Sequence, residues 1–140
     1  MDWRPRRSKY NVDVSDLGEA ARTRGPGEIH PSLKGTYDSL AELIRAQQLD
    51  LALRAGLIDS VDRQVVVPLT DAYTPRLDFR IVDPHGVRYE EVKGFRTRDT
   101  GILIKHWRLY GPAPLCILWY QGRGKDWKIE TIEGRKQDDK

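Results

Sequence analysis

Residues 77–94 read LDFRIVDPHGVRYEEVKG. Two β-like runs, 77–82 and 87–93, meet at Asp83-Pro84-His85-Gly86. Proline is favoured at the second position of a tight turn, so the spacing predicts a hairpin in which Val82 pairs with Val87. Counting back from that pair sets Asp78 opposite Glu91. Side chains alternate along a strand, so Asp78, Glu91 and Lys93 share one face. Directly opposed side chains lie ~5 Å apart at Cβ, and like charges there destabilise a sheet. At an effective dielectric of ~20 the repulsion is roughly 3 kcal/mol. A divalent cation held between the two acids offsets it, and hard oxygen ligands of this kind suit Mg²⁺, with Mn²⁺ as a substitute. From the residues alone, two alternatives stay open. A bulge at Gly86 would slip the register by one and set Glu90 opposite Asp78. A plain solvated hairpin would neutralise its acids with Arg80, Arg88 and Lys93.

Working outward, the stretch TYDSLAELIRAQQLDLALRAGL at 36–57 carries a Ser39-x-x-Glu42 capping box and ends at Gly56, which together predict a helix. Leu40, Leu43, Ile44, Leu51 and Ala55 form one apolar face and Ala46, Leu49 and Leu53 a second stripe, so burial on two sides is expected. Residues 60–69 (SVDRQVVVPL) read as a strand, and 100–110 (TGILIKHWRLY) as a helix stopped by Gly111 and Pro112. The nearly continuous apolar run 115–120 suits a central strand buried on both faces, and 127–132 supplies a last strand. The order helix, three strands, helix, two strands predicts an α/β fold with a mixed sheet flanked by helices, an αβββαββ core. The step from the hairpin through helix 100–110 to strand 115–120 is a parallel crossover.

The chain has 140 residues, enough for one modest core. Residues 1–36 are rich in Gly, Pro, Arg and Ser and are expected to form a basic arm or cover; 37–133 form the folded domain, and 134–140 a flexible tail. Net charge is only +3, so its distribution matters more than its sum. Arg4, Arg6, Arg7 and Lys9 crowd the first ten residues, and Lys93, Arg96, Arg98, Lys105 and Arg108 lie within 93–108 against Asp99 alone. Two basic zones on a near-neutral body suit a polyanion, nucleic acid above all, and equally suit a simply solvated basic terminus. Lys105 and Arg108 are three apart on one helix face, where they can meet phosphates or simply solvent. Gln64, polar within RQVVVP, can line the same cleft or sit on an edge. A single cysteine, Cys116, allows no internal disulfide and suits a reducing, cytoplasmic compartment. The three scattered histidines give no zinc spacing. No apolar stretch approaches ~20 residues and no apolar signal core follows the basic N-terminus, so no membrane partner is expected.

Asp78, followed thirteen residues later by Glu91-Val92-Lys93, resembles the signature of the PD-(D/E)XK nuclease superfamily. The likeness extends over residues 36–132 in element order, with Leu77 where that signature often has proline. Within the superfamily the chain is most similar to the archaeal-type Holliday junction resolvases and related small phage endonucleases, through DSLAELIRAQQLDLALRAGLI and the EVKGF strand. The resemblance implies a restriction-endonuclease-like fold and a Mg²⁺-dependent DNA endonuclease. It implies a homodimer that resolves four-way junctions by symmetric nicks leaving 5′-phosphates, in the host cytoplasm for a phage-encoded member. It implies metal ligation by Asp78, Glu91, the Val92 carbonyl and Glu42, with Lys93 orienting the attacking water and stabilising the charged transition state. Those resolvases often carry an arginine just after the helix acid; here Leu43 follows Glu42, and Arg45 is the nearest candidate for the DNA backbone. Arg96 and Arg98, beside the motif, are placed to meet the substrate strand. A restriction-type or recombination nuclease acting on duplex DNA, and a non-catalytic nucleic-acid-binding module of the same fold, are the competing expectations.

Overall fold

The structure, a computed structural model, describes residues 29–136 and the short strand Val12–Asp13. Arg4, Arg6, Arg7 and Lys9, named above as DNA contacts, lie outside the described residues, as does the end of the expected tail. The chain divides into two compact units, one ending at Leu57 and the other starting at Ile58.

In the first unit, β1 (Val12–Asp13) pairs antiparallel with β2 (Thr36–Tyr37), and α1 spans Leu40–Arg54. Helix α1 starts where the sequence provides a cap: Ser39 Oγ accepts the Glu42 amide at 3.1 Å. It stops where glycine allows a left-handed residue. Gly56 has φ +75, the Leu57 amide donates to the Ala52 carbonyl at 2.9 Å, and the Gly56 amide donates to that of Leu53 at 3.1 Å. Burial on two sides is not found. Glu42, Leu43, Ala46, Leu49 and Asp50 make one buried stripe. At 100° per residue Leu40, Ile44 and Leu51 fall on the opposite side, and Leu51 is 48% exposed. The buried Asp50 carboxylate accepts from the His30 amide at 2.9 Å and from Arg54 Nε at 3.0 Å.

The second unit is a five-stranded mixed sheet in the order β3-β4-β5-β6-β7, made of Ser60–Val66, Arg76–Asp83, Gly86–Lys93, Leu115–Trp119 and Lys128–Ile132. Only the β5–β6 pair is parallel, and α2 (Arg98–Tyr110) lies between those strands in sequence. The fold is therefore α/β with a mixed sheet, and the two helices and five sheet strands follow one another as α-β-β-β-α-β-β. Strand β3 ends at Val66, short of the expected residue 69. Pro68 has no amide to give a ladder, and the chain folds back instead, with the Val67 amide on the Pro75 carbonyl and the Leu69 amide on that of Tyr73. Helix α2 begins two residues earlier than its apolar pattern suggests. Thr97 is the cap, and Thr97 and Thr100 each accept the other's amide at 3.3 Å.

One face of the sheet packs on α2 through Tyr89, Leu115, Ile117 and Ile132 against Leu103, Ile104 and Trp107. The Tyr89 and Trp107 rings meet edge-on at 5.3 Å. Val61, Phe79, Ile81, Glu90 and Leu118 are also buried. The apolar run of β6 is thus buried at Leu115, Ile117 and Leu118, while Cys116 is only half-buried. Past α2 the backbone makes a close crossing: the Arg135 amide donates to the Gly111 carbonyl at 2.7 Å, and Trp107 Nε1 donates to the Ala113 carbonyl at 2.7 Å. Among the described residues, no helix is long and apolar enough to cross a membrane.

Candidate active site

The β4–β5 hairpin closes without a slip. Asp83 pairs with Gly86, Val82 with Val87 and Phe79 with Glu90. The turn is tied by the Asp83 side chain, whose Oδ1 accepts the His85 amide at 2.7 Å and the Gly86 amide at 3.1 Å, while Arg88 Nη1 binds its Oδ2 at 2.8 Å. Gly86 takes φ +135, a conformation other residues rarely adopt.

One step beyond the Phe79–Glu90 pair, Asp78 and Glu91 face each other. The Asp78 amide donates to Glu91 Oε1 at 3.0 Å, and Asp78 Oδ2 accepts the Val92 amide at 2.8 Å. Lys93, two residues on and so on the same face, sets its Nζ 3.3 Å from Glu91 Oε2. Glu90 points the other way: it is 2% exposed and paired with Arg88 Nε at 3.2 Å.

The electrostatics follow from this packing. Burial, then the Asp78 charge, push the Glu91 carboxyl up to about 8, while Lys93 and the Asp78 amide pull in the opposite direction. Burial likewise raises Asp78, opposed by the Val92 amide and by Lys93. Two carboxyls that resist ionising side by side, with one ammonium in reach, form a site short of positive charge.

Gln64 completes the cluster from the edge strand. Its Nε2 donates to Asp78 Oδ1 at 3.5 Å, and its backbone sits at φ +52, the only non-glycine at positive φ among the described residues. Left-handed backbone costs a glutamine on the order of 1–2 kcal/mol. It also interrupts the β3–β4 ladder, which skips from Arg63–Phe79 to Val65–Leu77.

Asp78, Glu91, Lys93 and Gln64 are therefore brought together. Glu42 is a buried residue in the first turn of α1, in the other unit, where Arg45 also lies with its Nη1 on Gln48 Oε1 at 3.0 Å. Arg98, Lys105 and Arg108 are exposed on the outer side of α2, away from Leu103 and Trp107. Arg96, in the loop after β5, donates to Glu130 Oε1 at 2.7 Å and lies 5.2 Å over the Trp119 ring.

Sequence reasoning missed three participants. Tyr73 has its phenol pushed up by burial and then by the charges of Asp99 and Glu91. Its ring also meets His106 at 4.5 Å. Glu130 and Trp119 join Arg96 from strands β7 and β6. No periodicity marks a residue in the loop after β3, and the Arg96–Glu130 pair spans 34 positions, so only tertiary pairing reveals it.

Among the described residues, no group of three or more His, Cys, Asp or Glu side chains gathers at one point. Two carboxylates nonetheless suit Mg²⁺, which keeps several waters and is commonly bound by one or two acids. Comparison of the chain with protein-family models, with curated proteins and with solved structures yields no match.

Proposed function

We propose that the chain is a Mg²⁺-dependent endonuclease of the cytoplasm that acts on branched DNA, cutting four-way junctions by paired nicks that leave 5′-phosphates. The observation that carries this is the Asp78–Glu91 opposition with Lys93 Nζ 3.3 Å from Glu91. A binding module has no use for facing acids whose burial raises their proton affinity. A divalent ion held by Asp78, Glu91 and the Val92 carbonyl would supply Lewis-acid chemistry at a phosphoryl oxygen and a more acidic water. The remaining work belongs to the chain. Lys93 orients the attacking water and balances the charge growing on the phosphoryl oxygens. Gln64 fixes the rotamer of Asp78. Arg98, Lys105 and Arg108 contact flanking phosphates, and the basic residues Arg4, Arg6, Arg7 and Lys9 add charge that holds the strand.

Symmetric cutting of a junction takes two sites, and a two-fold homodimer supplies them. Leu109 and Tyr110 at the end of α2 and Ile129 on edge strand β7 expose apolar surface for such a contact. Trp107 is fully buried and contributes none. Light scattering is expected to give about twice the chain mass.

The deciding experiment compares a four-way junction, a linear duplex of the same arms and a single strand, each with Mg²⁺ and with EDTA. Cleavage confined to the junction and to Mg²⁺ is the expected result. Equal cutting of the duplex would move the chain to a duplex-directed nuclease, and no cutting of any DNA with Mg²⁺ would end the nuclease proposal.

A further inference from the structure

Beside the acid pair lies a feature that hydrolysis alone does not use. Past Lys93 the chain leaves β5 through Gly94, Phe95 and Arg96, and Phe95 is 74% exposed. Arg96, Trp119, Lys128 and Glu130 line an open groove of about 590 Å³ there. Its floor is ordered. Glu130 Oε1 accepts both Arg96 Nη2 at 2.7 Å and Trp119 Nε1 at 3.2 Å, and the Arg96 guanidinium lies 5.2 Å over the Trp119 ring. One carboxylate oxygen thus holds a flat cation and an indole together as a short pile. Arg96 is still 53% exposed, so part of its surface is open to the groove. A guanidinium fixed in this way offers a planar surface on which another flat, electron-rich ring can stack.

The groove is also in register with the acids. Trp119 is the direct partner of Lys93 across the parallel β5–β6 pair, and Ile117 is the partner of Glu91. Adjacent strands are ~4.8 Å apart, so a phosphate held at Glu91 and Lys93 would leave its neighbouring nucleoside above Trp119 and Arg96. Lys128, the register partner of Trp119 on β7, adds a cation at the rim for the next phosphate.

We propose that this groove is a nucleobase site. It takes one unstacked base of the DNA strand, laid on the Arg96–Trp119 pile next to the phosphate at Lys93. The proposal deepens the nuclease reading and rests on it for the phosphate's position. A base inside an intact duplex is covered on both sides and cannot enter, whereas a branch point or a single strand releases bases without that cost. The groove would therefore make the chain select disrupted DNA through base stacking in addition to phosphate charge. Exposed Phe95, between the groove residues Gly94 and Arg96 in sequence, offers a further apolar surface to the bases left behind.

The test separates base from phosphate and needs neither metal nor cleavage. Full-length chain is titrated at low salt in EDTA with two end-labelled octamers of equal phosphate number, oligothymidine dT8 and an all-abasic strand, read by fluorescence anisotropy. The dT8 strand is expected to bind at least about fivefold tighter, the low end of what one stacked base contributes. Arg96→Lys keeps the charge but removes the planar fork, so it should abolish that preference while leaving abasic binding within about twofold. Arg96→Ala should also abolish the preference and weaken both octamers. Equal binding of the two octamers by the unmodified chain, or an unchanged preference in Arg96→Lys, overturns the base site. Its failure is distinguishable from failure of the nuclease reading. A chain that cuts junctions with Mg²⁺ but binds both octamers alike keeps the chemistry and loses the groove. One that prefers dT8 but cuts nothing keeps the groove and loses the chemistry.

Discussion

Asp78 and Glu91 confront one another across β4 and β5, joined by the Asp78 amide to Glu91 Oε1 at 3.0 Å. The contact orients one acid through the other's backbone, so each substitution has a distinct expected effect. Asp78→Asn or Glu91→Gln should reduce Mg²⁺-dependent DNA cleavage to background and leave DNA binding equal or tighter, because a negative charge near the phosphates is gone. Lys93→Ala should slow turnover by about 10²–10³-fold, as for other lost transition-state donors. Glu90→Gln, on the opposite face with Arg88, should cost stability and leave the per-molecule rate within a few-fold. Cleavage assays paired with gel-shift binding check all four.

Stability should fall as pH rises through the acid pair's titration. Glu91 has a folded value of about 8 against an ordinary 4.5, so between those limits the folded chain binds the extra proton. Unfolding free energy then declines with increasing pH, by about 1.4 kcal/mol per pH unit for one proton. Urea midpoints from pH 5 to 8.5 should show this slope. It should lessen in Glu91→Gln, where the burial that raises Asp78 remains, and shrink when Mg²⁺ is added, since a cation between the acids favours their ionised forms. A flat profile in EDTA would contradict the packing described for Glu91.

Gln64 sits at φ +52 with its amide on Asp78, which sets stability against activity at one residue. Gln64→Gly relaxes the backbone and removes the side chain. Its stability is expected within about 1 kcal/mol of the parent, the relief offsetting glycine's greater unfolded entropy. Gln64→Val, β-branched and forced into the same φ, should lose about 1–3 kcal/mol. Both should cleave more slowly, having lost the group that fixes Asp78. Denaturation midpoints and single-turnover rates on the same preparations separate the two effects.

Two glycines near α2 should respond in opposite directions to the same methyl group. At Gly111 an added Cβ would lie 2.4 Å from Trp107 Nε1, so Gly111→Ala should destabilise by about 1–3 kcal/mol. At Gly101, inside the helix, nothing lies within 4 Å, and Gly101→Ala should stabilise by about 0.5–1 kcal/mol. Thermal melts of the two variants decide it.

Much of the hairpin was legible because its cause is local. Asp83, Pro84 and Gly86 set the turn, and period-2 alternation then assigns every side chain to a face. The αβββαββ order was equally readable, since caps, apolar runs and breakers each act within a few residues. The ends of β3 and α2 were misjudged where a local polar device outweighed the apolar pattern: Pro68 withholding an amide, and Thr97 capping ahead of the first buried position. The two-sided burial expected of α1 failed because Leu43 alone of the first face joins the buried stripe, while Leu40 and Ile44 are half-buried and Leu51 is exposed. Tyr73, Glu130 and the left-handed Gln64 were out of reach, since their roles depend on what a neighbouring strand or loop brings alongside.

The hairpin also works as a ruler. Its arms run equal lengths from the Asp83–Gly86 closure to Asp78 on one side and Glu91 on the other. Inserting or deleting one residue in a single arm would change the parity of that arm. One residue added between Gly86 and Glu90, for example, would turn Glu91 to the face where Glu90 now meets Arg88 and set Glu90 opposite Asp78 without Lys93 beside it. Pro84 and His85 can be exchanged at modest cost, whereas the spacing between turn and acids can change only by compensated or even-numbered steps. In this chain a frameshift of structure, with no loss of either acid, is enough to dismantle the acid pair.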